Sequence, residues 1–426
     1  MIADETQHRP AAGKGRTLAE SLGIAAIGAA VPLLLVGRAA LAVAAIIALL
    51  CILTSVPVRT LARDITAALR TVLGAAVVIT FALWLVSVAL SPDIARSAMI
   101  WLRMAVILVI ATGFAATLRR RGDLREQALR VLIVASMTGV TLGLVAVHLI
   151  PETFAWLRGH GGEARATEIL KSYGTAVACL MPVVLWAGWR NPGAWRPLSL
   201  VFQVLAVVLL FSLESRSGLV AAGFGLGVMG AWLALRRLGR WGVVAVLACA
   251  ILLLAAAFLS NDRNNTIEAA LGLPIWLVDA HRQAIWAFGL SKFDLAPWFG
   301  AGFDMISKLP GAMEIVGGST AEHMPSHPHN VAVEILIETG AVGFGAFAVS
   351  LLLLFAGGWR AMRACGAPGA AVLGLSAAFW FASLVSYSFW SLWWQGTYVL
   401  LMALVIAALE PGHVSAGLFV KRTGKS

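Results

Sequence analysis

The chain has 426 residues, of which 60% are hydrophobic and only 12% charged, and its formal net charge is +11. Soluble domains are about 45–50% apolar and about 25% charged, so this composition excludes a soluble enzyme. It also excludes a disordered chain, because disordered segments are poor in apolar residues. The chain is therefore predicted to be a polytopic membrane protein of the all-α class, since its apolar runs lack strand-like alternation.

Twelve apolar runs are long enough, or nearly so, to cross a membrane as helices. Most of the 32 Lys and Arg residues fall on one side of these runs when the N-terminus is placed in the cytoplasm. Cytoplasmic loops of membrane proteins are enriched in Lys and Arg, so the positive charge indicates topology and no nucleic-acid partner is expected. The runs lie near 18–37, 39–56, 72–90, 97–118, 131–150, 173–189, 199–213, 219–235, 242–259, 331–358, 370–390 and 391–410.

The predicted organisation follows from these runs and their orientation. Residues 1–17 form a cytoplasmic tail, and 18–259 hold transmembrane helices 1 to 9. A large periplasmic loop occupies 260–330, helices 10 to 12 occupy 331–410, and 411–426 form a second cytoplasmic tail. Both termini are thus expected in the cytoplasm. The first run is span-length and is followed almost at once by a second, which favours an anchor over a cleavable signal peptide.

The long outward loop at 260–330 differs from the other connections, most of which are short. Loops of this length are usually functional or disordered, and its many aromatic residues favour order. Asp279, Arg282 and Gln283 have helical spacing among apolar neighbours. This pattern predicts short amphipathic helices, here one that lies on the membrane surface.

The sharpest local pattern is Ser326-His327-Pro328-His329-Asn330, which runs directly into an apolar helix with Glu334 and Glu338. Asn330, Glu334 and Glu338 recur every four residues and therefore share one helix face. Two carboxylates inside a span are costly unless they have partners or water. A helix N-terminus attracts anions, and a histidine beside it can accept a proton near neutral pH. An equally simple interpretation is a capped helix start with solvated histidines.

Outward-facing cations provide the second pattern. Arg216 follows Glu214-Ser215 at the junction of two spans, where an arginine either snorkels or holds a lipid-linked phosphate. Arg282 is predicted on the same side, as are Arg165 and Lys171 in the loop at 151–172. Arginines at such positions can neutralise a diphosphate leaving group without a metal.

A metal site receives little support from the sequence. His323, His327 and His329 have metal-like spacing, but no Cys and no ligand from a separate segment accompanies them. The four cysteines lie within predicted spans or on the cytoplasmic side without a CxxC motif. We therefore expect no metal and no cofactor.

These motifs resemble the O-antigen ligase family of bacterial inner-membrane glycosyltransferases. His329-Asn330, nine residues and then Gly340-Ala341-Val342-Gly343 match the family's H-N-x9-G-x-x-G pattern. Ser215-Arg216-Ser217-Gly218 and Pro297-Trp298-Phe299-Gly300-Ala301-Gly302 agree as well. The resemblance covers roughly residues 200–360. Residues 171–175 depart from it, because many members have a glycine-rich segment ending in Pro-Asn there, which puts a role for Lys171 in doubt.

The resemblance implies a multi-span fold like those of other lipid-sugar glycosyltransferases and transfer of an O-antigen glycan at the periplasmic face. The donor would be the glycan on undecaprenyl diphosphate, and the acceptor a hydroxyl of lipid A–core oligosaccharide, with neither ATP nor a metal and with inversion. Carried onto this chain, the catalytic set is His329 as base, with Asn330 beside it and Glu338 supporting the histidine or the helix entry. The diphosphate would be held by Arg216 and Arg282, and more weakly by Lys171 and Arg165.

Two other functions fit the sequence. O-antigen polymerases and protein O-oligosaccharyltransferases share the motif and differ in acceptor; protein-directed members tend to have extra C-terminal segments, and a short segment follows the last predicted span here. A secondary transporter is disfavoured, because transporters generally place charges near the bilayer midplane in broken helices.

Overall fold

The computed structural model describes residues 17–53, 55–160, 165–237, 241, 244, 248, 270–274, 278–317 and 320–409. The predicted tails and nearly all of the predicted span at 242–259 lie outside these residues, as do parts of the loop at 260–330. The helices of the described residues, in chain order, are α1 Leu18–Ala29, α2 Arg38–Leu53, α3 Val58–Leu69, α4 Val72–Ala89, α5 Ile94–Arg120, α6 Gly122–His148, α7 Pro151–Leu157, α8 Ala166–Ile169, α9 Lys171–Arg190, α10 Trp195–Ser212, α11 Arg216–Arg237, α12 Ala280–Ser291, α13 Val331–Cys365, α14 Ala367–Ser383 and α15 Leu392–Ile406.

Seven of these helices are long and apolar enough to cross a membrane: α4, α5, α6, α9, α10, α11 and α13. Four shorter apolar helices, α1, α2, α14 and α15, coincide with further predicted spans. The chain is thus an all-helical membrane protein across the described residues, as its composition predicted. The count of twelve spans and the periplasmic position of the loop remain predictions.

Three local features differ from the predicted elements. Helix α3 occupies Val58–Leu69, where a short loop was expected. The first run is divided, since α1 ends at Ala29 and a separate 3₁₀ turn covers Pro32–Leu35. Proline lacks the N–H that would continue the helix, which explains this break. The predicted span at 370–390 also stops early, because α14 ends at Ser383 and an irregular segment leads to α15.

Helix α9 lies at the centre of the bundle. Its side chains are buried along most of its length, and it packs against α6, α10, α11 and α14. Two close approaches explain the small residues at its contacts: a Cβ on Gly139 of α6 would lie 2.3 Å from the hydroxyl of Tyr173 on α9, and one on Gly174 of α9 would lie 2.8 Å from Leu213. Small residues at such crossings let helix backbones approach each other closely.

The bundle has two chemically distinct ends. At one, basic residues at the junction of α5 and α6 meet acids of α3 and α1: Arg120 lies 2.6 Å from Asp64, and Arg121 lies 2.8 Å from Glu20. The other carries residues 278–330 and is here called the loop end. Lys308 of that segment lies 3.3 Å from Asp93, which caps α5.

Candidate functional site

Helix α12 provides one wall of the loop end. Asp279 caps the helix by accepting a hydrogen bond from the backbone N–H of Arg282 at 2.9 Å. Gln283 is fully buried, accepts from the backbone N–H of Leu273 and donates to the carbonyl of Val278. The apolar side contributes Ile285 to a core with residues of α13. One side of the helix therefore packs on protein, and contact with the membrane surface stays a prediction.

Helix α13 is interrupted at Gly340, and residues 297–302 lie against the break. Gly340 has φ 66° and ψ −177°, far from helical values. The freed backbone groups are satisfied from outside the helix: the N–H of Ala341 donates to the carbonyl of Pro297 at 2.8 Å, and that of Gly302 donates to the carbonyl of Glu338 at 3.0 Å. These hydrogen bonds at the kink attach residues 297–302 to α13.

The glycines in both sequence motifs are explained by this contact. A Cβ on Gly340 would lie 2.3 Å from the carbonyl carbon of Trp298, and one on Gly300 would lie 2.2 Å from that of Glu338. Both glycines also have positive φ, which other residues rarely adopt. Two motifs that are distant in sequence therefore form one backbone-to-backbone junction.

Glu338 holds the turn that follows residue 302. Its side chain is fully buried and accepts hydrogen bonds from the backbone N–H groups of Asp304, at 2.7 Å, and Ile306, at 2.9 Å. It also accepts from the indole N–H of Trp390. The sequence predicted that Glu338 supports either the histidine or the helix entry. In the structure, the hydrogen bonds of Glu338 are to this turn and to Trp390.

Glu334 lies one turn earlier on the same face of α13. It is 1% exposed and accepts from the backbone N–H of Phe389 at 2.6 Å. The two buried carboxylates therefore both contact the irregular segment between α14 and α15. Backbone N–H groups donate to both oxygens of Glu338 and to Oε2 of Glu334, and an indole donates to Glu338 as well.

Asn330 is the N-cap of α13. Its side-chain oxygen accepts from the backbone N–H groups of Ala332 at 3.0 Å and Val333 at 3.2 Å. This is the capped helix start that the simpler interpretation predicted. Here the side chain of Asn330 orients the helix entry and, through it, the adjacent histidine.

His327 and His329 bind one carbonyl oxygen, that of Ser386. His327 donates from Nε2 at 3.1 Å, and His329 donates from Nδ1. The two rings are 4.1 Å apart. A carbonyl accepts only, so this arrangement fixes opposite tautomers and leaves Nε2 of His329 with a free lone pair. The histidines are thus oriented, and the simpler interpretation does not account for them.

The environment keeps both histidines neutral. Burial lowers the pKa of His327, and burial together with the neighbouring His327 lowers the pKa of His329 to about 4. The nearby Arg282 and His281 lower the pKa of His329 further, while its hydrogen bond to Ser386 raises it. At neutral pH His329 is therefore an unprotonated imidazole able to accept a proton.

The backbone around His329 is held in an unusual conformation. His329 has φ 51°, in the left-handed region, which is uncommon for residues other than glycine. The carbonyl of Pro328 accepts a hydrogen bond from the indole N–H of Trp286 at 2.8 Å, which ties this turn to α12. Such conformations cluster at functional sites, because surrounding structure must hold them.

Among the predicted cations, the structure brings Arg282 to the histidines. Arg282 is half-buried beside Asp279, with Nε at 3.3 Å from the carboxylate, and its charge acts on His329. Arg216 is exposed at the start of α11. The preceding Ser215 packs near Gly174 on α9, and the next residue, Thr175, contacts the hydroxyl of Tyr387 at 3.3 Å.

Lys171 and Arg165 lie at the loop end, but their side chains are exposed. Neither forms an ion pair with a described residue. Their assignment to a diphosphate site stays a prediction that the structure supports less directly than it supports Arg282.

His323 makes a different contact from His327 and His329. Its ring stacks on Phe288, with centroids 5.5 Å apart. Among the described residues, no group of three or more His, Cys, Asp or Glu side chains is arranged to hold a metal ion.

Sequence reasoning missed the segment that binds the histidines and carboxylates. Ser386 and Trp390 fall at the end of a predicted span, so their position indicated membrane and not a site. Sequence reasoning also gave no role to Arg38, although its charge acts on His327. One signal was available for Arg38: like Arg216, it is an arginine at an outward junction between two apolar runs.

Comparison with known proteins finds similarity over the part of the chain that contains these residues. A family model described as O-antigen ligase matches residues 201–348, from within α10 through the histidines and past the Gly340 kink. A protein of Rickettsia felis, named as a candidate polysaccharide ligase, is 26% identical over 138 residues. That match covers 32% of this chain and 33% of the relative, so the chain spans about a third of the relative's length. Residues 201–348, which make up less than half of the chain, are thus similar to the O-antigen ligase family.

Proposed function

We propose that this protein transfers an O-antigen glycan from undecaprenyl diphosphate to a hydroxyl of lipid A–core oligosaccharide at the periplasmic face of the bacterial inner membrane. The similarity of residues 201–348 to the O-antigen ligase family supports a glycosyl-transferring enzyme that acts on a lipid-linked polysaccharide. The observation that carries the specific proposal is the oriented, neutral His329 beside Arg282. One proton acceptor and one fixed cation next to it are what a displacement at a glycosyl diphosphate requires.

His329 acts as the general base in this proposal. The Ser386 carbonyl holds Nδ1–H, so Nε2 is the atom that takes the proton of the acceptor hydroxyl. A pKa of about 4 makes His329 a weak base in the free enzyme. Binding of an anionic diphosphate offsets the charge of Arg282 and raises that pKa, so the base gains strength when the donor is present.

The arginines hold the leaving group. Arg282 and Arg216 present planar guanidinium groups, which bind phosphate oxygens through two parallel hydrogen bonds. Because these cations are permanently charged, they stabilise the negative charge that develops on the diphosphate without a metal ion.

The proposed reaction is a single displacement. The acceptor oxygen forms a bond to the anomeric carbon as its proton passes to Nε2 of His329. The bond between that carbon and the diphosphate oxygen breaks, and undecaprenyl diphosphate leaves with the electron pair. Attack from the face opposite the leaving group inverts the anomeric configuration.

The test is a lipopolysaccharide gel from a deletion strain complemented with wild type or with His329→Ala. The wild-type gene should restore the long-chain ladder. The variant should insert normally, restore no ladder and leave polymeric glycan on undecaprenyl diphosphate, because only the base is removed. His148→Ala is the matched control: this histidine is exposed, binds Ser212 at 2.8 Å and should support a normal ladder.

Three results would overturn the proposal. A core that carries a single repeat unit in the deletion strain would identify a polymerase. An unchanged ladder would direct attention to glycoproteins as acceptors, and full activity of His329→Ala would exclude the proposed base.

A further inference from the structure

A pair of arginines lies beside the histidines and takes no part in the proposed displacement. Arg38 begins α2, and Arg158 follows α7. Arg158 donates from Nη1 to the carbonyl of Leu35 at 2.6 Å, and the same nitrogen lies 4.0 Å from the position of a Cβ on Gly37. This bond fixes Arg158 against the turn that leads into Arg38. Two segments far apart in the sequence therefore place two guanidinium groups together.

The two cations act on each other. Partial burial lowers the pKa of Arg158, and the charge of Arg38 lowers it further. Neither arginine forms an ion pair with an acidic residue in the part of the chain that the structure describes. Repulsion between adjacent cations is unfavourable unless an anion lies between them, so the pair is suited to a bound anion.

Aromatic side chains connect this pair to the histidines. The guanidinium of Arg38 lies 5.1 Å from the centroid of the Trp393 ring, which is itself packed against Tyr387 at 4.9 Å. Tyr387 directly follows Ser386, whose carbonyl binds both histidines. Stacking on an aromatic face orients a guanidinium and leaves its N–H groups available to a ligand.

Arg38 and Arg282 influence different histidines. The charge of Arg38 acts on His327, together with that of Asp304, whereas the charge of Arg282 acts on His329. A transfer between two substrates needs two binding sites that meet at the base. The donor diphosphate is assigned to Arg282 and Arg216, so Arg38 and Arg158 are left for the second substrate.

We propose that Arg38 and Arg158 form a second anion site, which binds a phosphate group on the acceptor and brings its hydroxyl to the histidines. This inference rests on the proposed function for the identity of the two substrates. Phosphate is the favoured ligand because paired guanidinium groups match its oxygens in geometry and charge. A phosphate of this kind could come from the acceptor, from the donor diphosphate or from bulk phospholipid, and the experiment separates these sources.

The experiment measures binding to the purified full-length chain in lipid nanodiscs. The probes are lipid A–core glycolipid, the same glycolipid after enzymatic removal of its phosphates, and undecaprenyl diphosphate. The variants are Arg38→Gln, Arg38→Lys and Arg158→Gln. Lys308→Gln is the matched control, since it removes one cation from the same end of the bundle and only an exposed pair with Asp93.

We expect Arg38→Gln and Arg158→Gln to weaken binding of the phosphorylated glycolipid about tenfold or more, as loss of a charge-assisted hydrogen bond does. Arg38→Lys should recover part of the loss. The dephosphorylated glycolipid should bind wild type weakly and be insensitive to Arg38→Gln. Binding of undecaprenyl diphosphate should be unchanged in all variants, and Lys308→Gln should match wild type throughout.

Three outcomes would overturn the proposal. Weaker binding of undecaprenyl diphosphate to Arg38→Gln would assign the pair to the donor. Equal competition by phosphatidylglycerol would assign it to bulk lipid, and unchanged binding by both Gln variants would exclude an anion site. Size-exclusion profiles identify a variant that has lost its fold; Arg38 is exposed, so its variants should retain it.

The test is independent of the proposed transfer. Binding is scored whether or not the wild-type chain catalyses transfer, so a failed transfer assay would contradict the proposed function and leave the anion site intact. If transfer is observed, Arg38→Gln should raise the KM for acceptor and leave both kcat and the KM for donor near wild type.

Discussion

The imidazole of His329 donates its Nδ1–H to the backbone carbonyl of Ser386. This bond sets the tautomer of the proposed base and leaves Nε2 as the acceptor. The partner is a neutral carbonyl and not a carboxylate, so the imidazolium form gains less stabilisation than in a carboxylate-paired histidine. The same carbonyl also binds His327, which makes the segment between α14 and α15 a support for both histidines.

The pH dependence of transfer should reflect the low pKa of His329. If its free pKa is about 4, kcat/KM should stay on a plateau down to about pH 5 and fall below it, where an ordinary histidine would lose activity near pH 6.5. His327→Gln removes a neighbouring group that lowers this pKa, so the acid limb should move to higher pH. The measurement is kcat/KM against pH with purified enzyme. An acid limb near 6.5 in wild type would contradict the proposed environment.

The free energy of unfolding should also depend on pH through the pKa of His329. The folded state disfavours protonation of His329, whose pKa is lowered from 6.5 to about 4. The unfolded chain therefore binds the proton more readily between these values, and stability should fall as pH falls from about 6.5 to about 4. His329→Gln should lose this part of the pH dependence in a thermal unfolding series, whereas His148→Gln should keep it.

The two arginines proposed to bind the donor should differ in the effect of substitution by lysine. Arg282 lies beside the base and is half-buried, so Arg282→Lys, which keeps the charge but loses the planar fork, should still reduce kcat/KM about tenfold or more. Arg216 is exposed, and if it supplies charge alone, Arg216→Lys should retain most activity while Arg216→Ala does not. Steady-state kinetics with varied donor measure both effects. Equal activity of all three variants and wild type would remove these arginines from the proposed donor site.

Transfer should proceed in the presence of EDTA. The proposed leaving-group stabilisation comes from permanently charged guanidinium groups, which a chelator does not affect. The measurement is the initial rate of purified enzyme with and without EDTA. Inhibition that is reversed by an added divalent cation would require a metal in the mechanism.

The junction at Gly340 should be intolerant of a side chain. Gly340→Ala places a Cβ against the carbonyl carbon of Trp298 at a positive φ, and should cost at least ~1–2 kcal/mol from backbone strain alone, before the clash. Gly345→Ala is the matched control on the same helix, because a Cβ there meets nothing within 4 Å, and it should be neutral or slightly stabilising. Thermal unfolding in detergent checks both. Equal melting temperatures would show that the kink is not required.

Glu338 should stabilise the loop through its acceptor oxygens. Glu338→Gln replaces one oxygen by an NH₂ group that faces N–H donors, and should lower stability by about 1–3 kcal/mol, with a loss of activity. Trp390→Phe removes one donor to the same carboxylate and should have a smaller effect. If Glu338→Gln retains its stability but loses transfer, the residue takes part in the chemistry and not in the fold.

The sequence alone determined the membrane helices and the local motifs of this protein. Its apolar runs predicted the membrane helices, because hydrophobic length is set by the thickness of the bilayer. Regular spacing placed Glu334 and Glu338 on one face of a helix, and a short motif singled out His329, Asn330, Gly340 and the nearby glycines. These are local properties, which a helical period or a motif spacing encodes directly.

Only the tertiary structure decided what those residues contact. The carbonyl of Ser386, the indole of Trp390 and the guanidinium of Arg38 come from segments far from the histidines in sequence. No periodicity links them, because backbone groups carry no sequence signal and an arginine between two apolar runs looks the same whether it snorkels or binds a ligand. Packing of helices from both halves of the chain brings these groups together, and burial there keeps His329 neutral.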